Sequence, residues 1–205
     1  MKFLRLEPVA LDLGDVLVQV IAVALGVILG FAATAWNEHL HQQSLLRQTV
    51  ANIVDELRSN QSGMRVVMGR HASTAATLAK LAERGRSSTR ISLSDARVVL
   101  RRANAETNVP LGIAWQIAQN DQGLTLFPYH ERYDLAFIYQ LQTFYYQREQ
   151  RYDEMILSIS EPPNDNFYFE VVDLANQLQS VVGVERQLDV LYTKALQRAA
   201  SEYGS

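Results

Sequence analysis

Few residues in this chain are of a type and spacing that could do chemistry. There is no cysteine, which excludes disulfides, thiolate metal sites and a thiol nucleophile. The histidines are His39, His41, His71 and His130. His39 and His41 are two apart, so on a helix they point away from each other. Glu38 and His41 have the i, i+3 spacing of half a di-iron carboxylate set. Such a set needs a second Glu-x-x-His pair and two further glutamates, and the chain does not repeat the first. No metal and no other cofactor is therefore expected. His130 and Asp134 can meet at i, i+4, which on an exposed helix is a surface contact. Asp55 and Glu56 are adjacent, hence on different faces, and read as solvated surface. There is no nucleophile-elbow serine, no phosphate-cradling glycine loop and no HExxH. On these residues the chain reads as not an enzyme.

One cluster stands apart. Tyr129, Tyr133, Phe137, Tyr139, Phe144, Tyr145, Tyr146 and Tyr152 crowd into one stretch. Aromatic rings bury much area and tyrosine adds a hydroxyl, which suits interfaces and ligand pockets. The apolar spacing also demands a core there, with tyrosines at its rim. Tyr145 and Tyr146 are adjacent and cannot both face one core. Trp115, Tyr139, Tyr145 and Tyr146 are the candidates for a partner or ligand surface.

The elements that would position these residues begin with an apolar run. Residues 16–36 read VLVQVIAVALGVILGFAATAW, without a charge. A helix of ~20 apolar residues crosses a bilayer core of ~30 Å, and in lipid the run must be helical to pair its backbone. Trp36 sits where an interfacial aromatic anchor belongs. Two readings compete: a retained anchor, and a cleavable signal with Ala33-Thr34-Ala35 as its cut site. The run exceeds a typical ~7–15-residue signal core, and helical periodicity continues past the would-be cut, which favours retention. Lys2 and Arg5 precede the span and only Arg47 follows closely. That bias puts the amino end in the cytoplasm and 37–205 outside, a single-pass protein of the bacterial inner membrane with a periplasmic domain. Ala22, Gly26, Gly30 and Thr34 recur every four residues, a small-residue face on which two membrane helices can approach. Glycine is also simply common in membrane helices.

Beyond Trp36, no proline or glycine occurs before Gly63. Leu46, Val50, Ile53, Leu57, Asn60, Met64, Val67, His71, Thr74, Leu78 and Leu81 alternate four- and three-residue steps. This is a coiled-coil-like seam, or the core-facing stripe of a bundle helix. Asn60 and His71 on the seam could fix register; the plainer reading is a local break near Ser62-Gly63, with His71 at the seam's edge. The helix is expected to run from about residue 9 to 83, on the order of 110 Å at 1.5 Å per residue, with Gly85 as its cap.

Further on, Ser92 or Ser94 can cap a helix near 94–106, and Pro110 can open a short one near 110–120. Two long helices follow near 128–160 and 166–202, separated by Glu161-Pro162-Pro163. "LTLF" is the one strand-like stretch and is too short to count. The expected fold is all-α: a tail (1–15), a transmembrane helix (16–36), and an antiparallel bundle (37–205) whose first part (37–83) is a coiled-coil-like stalk.

Hydrophobic residues make up 48%, charged ones 20%, and the net charge is −3. Nothing here attracts a polyanion, so nucleic acid is not an expected partner.

The anchor "LGVILGFAATAWNE", the stretch "VANIVDELRSN", and a later Ala114-Trp115-Gln116, Tyr139, Leu141-Gln142 and Tyr145 or Tyr146 resemble a group of uncharacterised bacterial single-span membrane proteins. That resemblance implies the anchor and helical architecture, and no activity. The expected partners are the lipid bilayer and a protein, either another copy in a homo-oligomer or a membrane protein that the chain serves as accessory or scaffold. The alternative is an extracytoplasmic sensory or small-ligand-binding domain that signals through a partner.

Overall fold

The computed structural model describes residues 13–88, 109–158 and 167–204. Among them are four α-helices and no strand: α1 (Leu13–Ser88), α2 (Ile113–Asn120), α3 (Tyr129–Ser158) and α4 (Phe167–Tyr203), with a 3-10 turn at Gly123–Leu126. The fold is all-α as expected. The expected helix near 94–106 and most of the amino-terminal tail lie outside the described residues. The chain divides into two units between Leu45 and Leu46.

In the first unit the α1 side chains from Val16 onward to Leu40 lie open, Phe31 and Trp36 among them. An 18-residue window of α1 reaches a mean hydropathy of 2.6 with 0% of it buried. By length and composition this helix can cross a membrane. The Thr34 hydroxyl donates to the Gly30 carbonyl at 2.9 Å, one turn back. Glu38 accepts from Gln42 at 2.9 Å, and His39 bonds Gln43 at 2.9 Å, so both make local helix-surface contacts.

In the second unit the rest of α1 packs with α2, α3 and α4. Residue pairings give the directions. Glu131 meets Tyr203 and Gln142 meets Tyr192, so α3 and α4 are antiparallel. Gln61 meets Thr193 and His71 meets Glu185, so α1 and α4 are antiparallel as well. The seam residues from Val50 to Leu81 are all buried, and Leu46 packs against them at the edge. The stripe is thus the bundle's own core-facing side, covered within the chain, rather than a free coiled-coil seam.

Three local expectations are corrected. Helix α1 passes through Ser62-Gly63 without a break, because the seam on both sides of it is continuously buried. It also passes through Gly85 to Ser88. Helix α2 starts at Ile113 instead of Pro110. The cause is Asn60, whose amide donates to the Leu111 carbonyl and accepts from the Leu111 N–H, each at 2.8 Å. Leu111 is thereby held out of the helix. "LTLF" forms no strand, as expected; its first three residues lie in the 3-10 turn. That turn lies close against α1: a Cβ on Gly123 would come 2.5 Å from the Thr49 hydroxyl oxygen.

Candidate functional site

Helix α2 has no side chain of its own to cap it. A helix start leaves unpaired N–H groups and a partial positive charge. Glu56 of α1 supplies the missing acceptor: its Oε2 takes the Ala114 N–H at 2.8 Å. Its Oε1 takes the Tyr139 hydroxyl of α3 at 2.7 Å. Glu56 is only 8% exposed, which corrects its reading as solvated surface; Asp55 beside it is exposed and pairs with Arg58. Burial, then the hydrogen bond and charge of Glu56, push the Tyr139 hydroxyl up and keep it protonated. Trp115 stacks on Tyr139 with ring centroids 4.9 Å apart and planes at 15°.

Above this joint lies a hollow of about 500 Å³, lined by Val109, Pro110, Gly112, Trp115, Gln116, Gln119, Ala136, Tyr139, Gln140, Gln142, Thr143 and Tyr146. No charged side chain is among them. Aromatic faces, four carboxamides and a threonine hydroxyl offer stacking and two-way hydrogen bonding to an uncharged ligand. Two lining residues are braced: Gln142 donates to the Tyr192 hydroxyl at 2.9 Å, and Thr143 donates to the Tyr139 carbonyl at 3.1 Å.

Three of the four aromatic residues marked by sequence, Trp115, Tyr139 and Tyr146, meet here. Tyr145 does not, and its place as a surface residue is corrected. It is 0% exposed, while Tyr146 is 39% exposed. One helical residue turns the chain by roughly 100°, and Tyr145 is turned into the core, where its hydroxyl donates to Glu149 at 2.8 Å.

That core holds what sequence reasoning missed. His71 Nδ1 lies 2.6 Å from Glu185 Oε1, both buried, so His71 is a partnered core residue rather than an edge one. The Tyr145 hydroxyl also lies 3.5 Å from Glu185 Oε1. Glu149, Glu185 and Glu56 all sit on buried helix faces beside apolar residues at helical spacing. An acid at a core position of the pattern, as Glu149 is between Tyr145 and Tyr152, is the signal that could have found them. Sequence alone does not reveal the partner, since His71 and Glu185 are 114 residues apart.

A second cavity of about 280 Å³ lies between α1, α3 and α4, with an apolar lining that includes Ile53, Leu57, Ile138 and Leu191. Lys194 and the Arg198–Asp134 pair (2.6 Å) also line it. The pairing of Asp134 with Arg198 replaces the expected His130–Asp134 contact; His130 is exposed, 3.9 Å from Glu131. Among the described residues no three His, Asp or Glu side chains converge as metal ligands would.

No family model, no curated protein and no solved structure matches this chain.

Proposed function

We propose that the protein is a non-enzymatic helical accessory or scaffold subunit, anchored by 16–36 in a bacterial inner membrane with 37–205 in the periplasm. It works by association with a membrane protein or with further copies of itself. The observation that carries this reading is the first unit of α1. Its apolar side chains from Val16 to Leu40 are all exposed, and a Cβ on Gly26 or Gly30 meets nothing within 4 Å. A surface of that size and apolarity needs lipid or a partner to cover it, and the Ala22, Gly26, Gly30 and Thr34 face suits close helix approach. The resemblance to uncharacterised single-span bacterial proteins belongs to the same reading. Because the 46–81 seam is covered inside the second unit, association is assigned to the span and to the exposed Tyr146 side, not to a stalk. Crosslinking in native membranes and mass analysis in mild detergent are expected to show a defined oligomer or a retained partner. A clean monomer in both overturns the reading.

A second reading, ligand binding, is favoured by the hollow at Trp115. Its uncharged aromatic and amide lining suits a neutral, hydroxyl- or amide-rich molecule. Thermal-shift screening of the full-length protein against neutral sugars and short uncharged peptides is expected to find a stabilising class that Trp115→Ala abolishes. Stabilisation by none, or a shift that persists in the variant, removes this reading.

A further inference from the structure

We propose that His71, Glu149 and Glu185 form a buried proton-binding site that fastens α1, α3 and α4 together when protonated and loosens them when the proton is lost.

Each of the three helices contributes one member, and all are nearly inaccessible: His71 is 6% exposed, Glu149 2% and Glu185 0%. His71 Nδ1 bonds Glu185 Oε1 at 2.6 Å. The Tyr145 hydroxyl has one proton, which it gives to Glu149 Oε1 at 2.8 Å while standing 3.5 Å from Glu185 Oε1. Two carboxyls thus face each other across one hydroxyl. The remaining oxygens, Glu149 Oε2 and Glu185 Oε2, have no hydrogen-bond partner among the described residues, and neither has the Tyr152 hydroxyl. A buried carboxylate oxygen without a donor is costly, and a proton on it removes the cost.

Charged groups from all three helices act on this site. From α1 there is His71; from α3 there are Tyr145, Glu149 and Asp153; from α4 there is Glu185. Among the described residues, the groups that act most strongly on His71 and Glu149 include no lysine and no arginine. One imidazolium cannot balance Glu149 and Glu185 with Asp153 at the edge, so a second proton is needed. Burial pushes the Glu149 carboxyl up to about 7; the Tyr145 bond and His71 pull it back, and Glu185 and Asp153 push it further. Burial works against the imidazolium of His71, but the bond and charge of Glu185, reinforced by Glu149 and Asp153, outweigh it and raise its pKa.

The sign is the same for both groups. Each holds its proton more tightly folded than unfolded, so its contribution is complete below the unfolded value and lost as pH rises through the folded one. For Glu149 the loss runs from 4.5 to about 7; for His71 it begins at 6.5 and extends above it. Above both, the core holds at least two carboxylates around a neutral imidazole. The association surface of the span and the hollow at Trp115 play no part in this, so the proposal stands apart from both functional readings.

The test is thermal unfolding of the full-length protein in detergent between about pH 5.5 and about pH 8.5, a window that takes in the upper part of the Glu149 loss and the onset of the His71 loss. The Tm is expected to fall as pH rises. Glu149→Gln keeps the acceptor for Tyr145 and removes the titration, so its Tm should fall less steeply and exceed the native one at the alkaline end. Infrared spectra should show a protonated-carboxyl band at the acid end that is lost by the alkaline end. Glu149→Gln should lack that band, and Glu131→Gln, elsewhere on α3, should keep it. If Glu149→Gln does not fold, the infrared titration of the native protein decides. A Tm that is flat or rising with pH, a slope unchanged in Glu149→Gln, or no titrating carboxyl band overturns the proposal.

Discussion

Glu56 holds two helices with one carboxylate, and its importance lies in the groups left behind if it changes. Tyr139→Phe removes the hydroxyl that Oε1 accepts. It strands a buried carboxylate oxygen and should cost about 1–3 kcal/mol in chemical denaturation. Trp115 fluorescence should also shift, since that ring rests on Tyr139. His71→Leu should cost more, about 3–5 kcal/mol, because it leaves Glu185 buried without its partner. The double change His71→Leu with Glu185→Leu should recover most of that loss, since it removes the stranded charge along with the pair. At this scale the sequence is half legible. That Asn60 and His71 lie on the seam follows from counting residues. What they bond to does not, because Leu111 and Glu185 come to them only through the chain's return path.

Between elements, glycine marks the close contacts, and its meaning differs by place. At Gly123 a Cβ would meet the Thr49 hydroxyl oxygen at 2.5 Å and its methyl carbon at 3.1 Å. Thr49 is buried and β-branched and cannot give way easily. Gly123→Ala should therefore destabilise the second unit by about 1–3 kcal/mol, read as a lower denaturation midpoint. At Gly26 and Gly30 the opposite holds: within one chain there is open space. Gly26→Leu with Gly30→Leu should leave membrane insertion intact and weaken crosslinking, so any loss reports on a second helix. The long helices are legible as elements because their apolar period is unbroken. Their ends are less so: Gly85 and Pro110 look like boundaries, yet α1 continues past the one and α2 starts after the other. In the second case a tertiary bond from Asn60 overrides the local preference of Pro110 for a first turn.

For the whole molecule, the division between Leu45 and Leu46 makes a direct prediction. A fragment beginning at Leu46 should be water-soluble, helical by circular dichroism, and unfold at nearly the Tm of the full chain, because its core lies wholly within it. The all-α class is legible from periodicity, composition and the positions of Pro162-Pro163. The hollow at Trp115 is half legible: its aromatic residues can be named from sequence, but its glutamines are surface residues until α2 and α3 are placed together. The polar joins also bear on how the chain finds this packing. A helix faced only with Leu and Val could slide along its neighbour by two turns and meet equivalent apolar groups. In α1, Asn60 is matched to Leu111, Gln61 to Asp189 and Thr193, and His71 to Glu185. Any slipped alignment strands all of these at once. They act as alignment pins, so a misthreaded chain gains grease without its matching teeth and is driven back to try again.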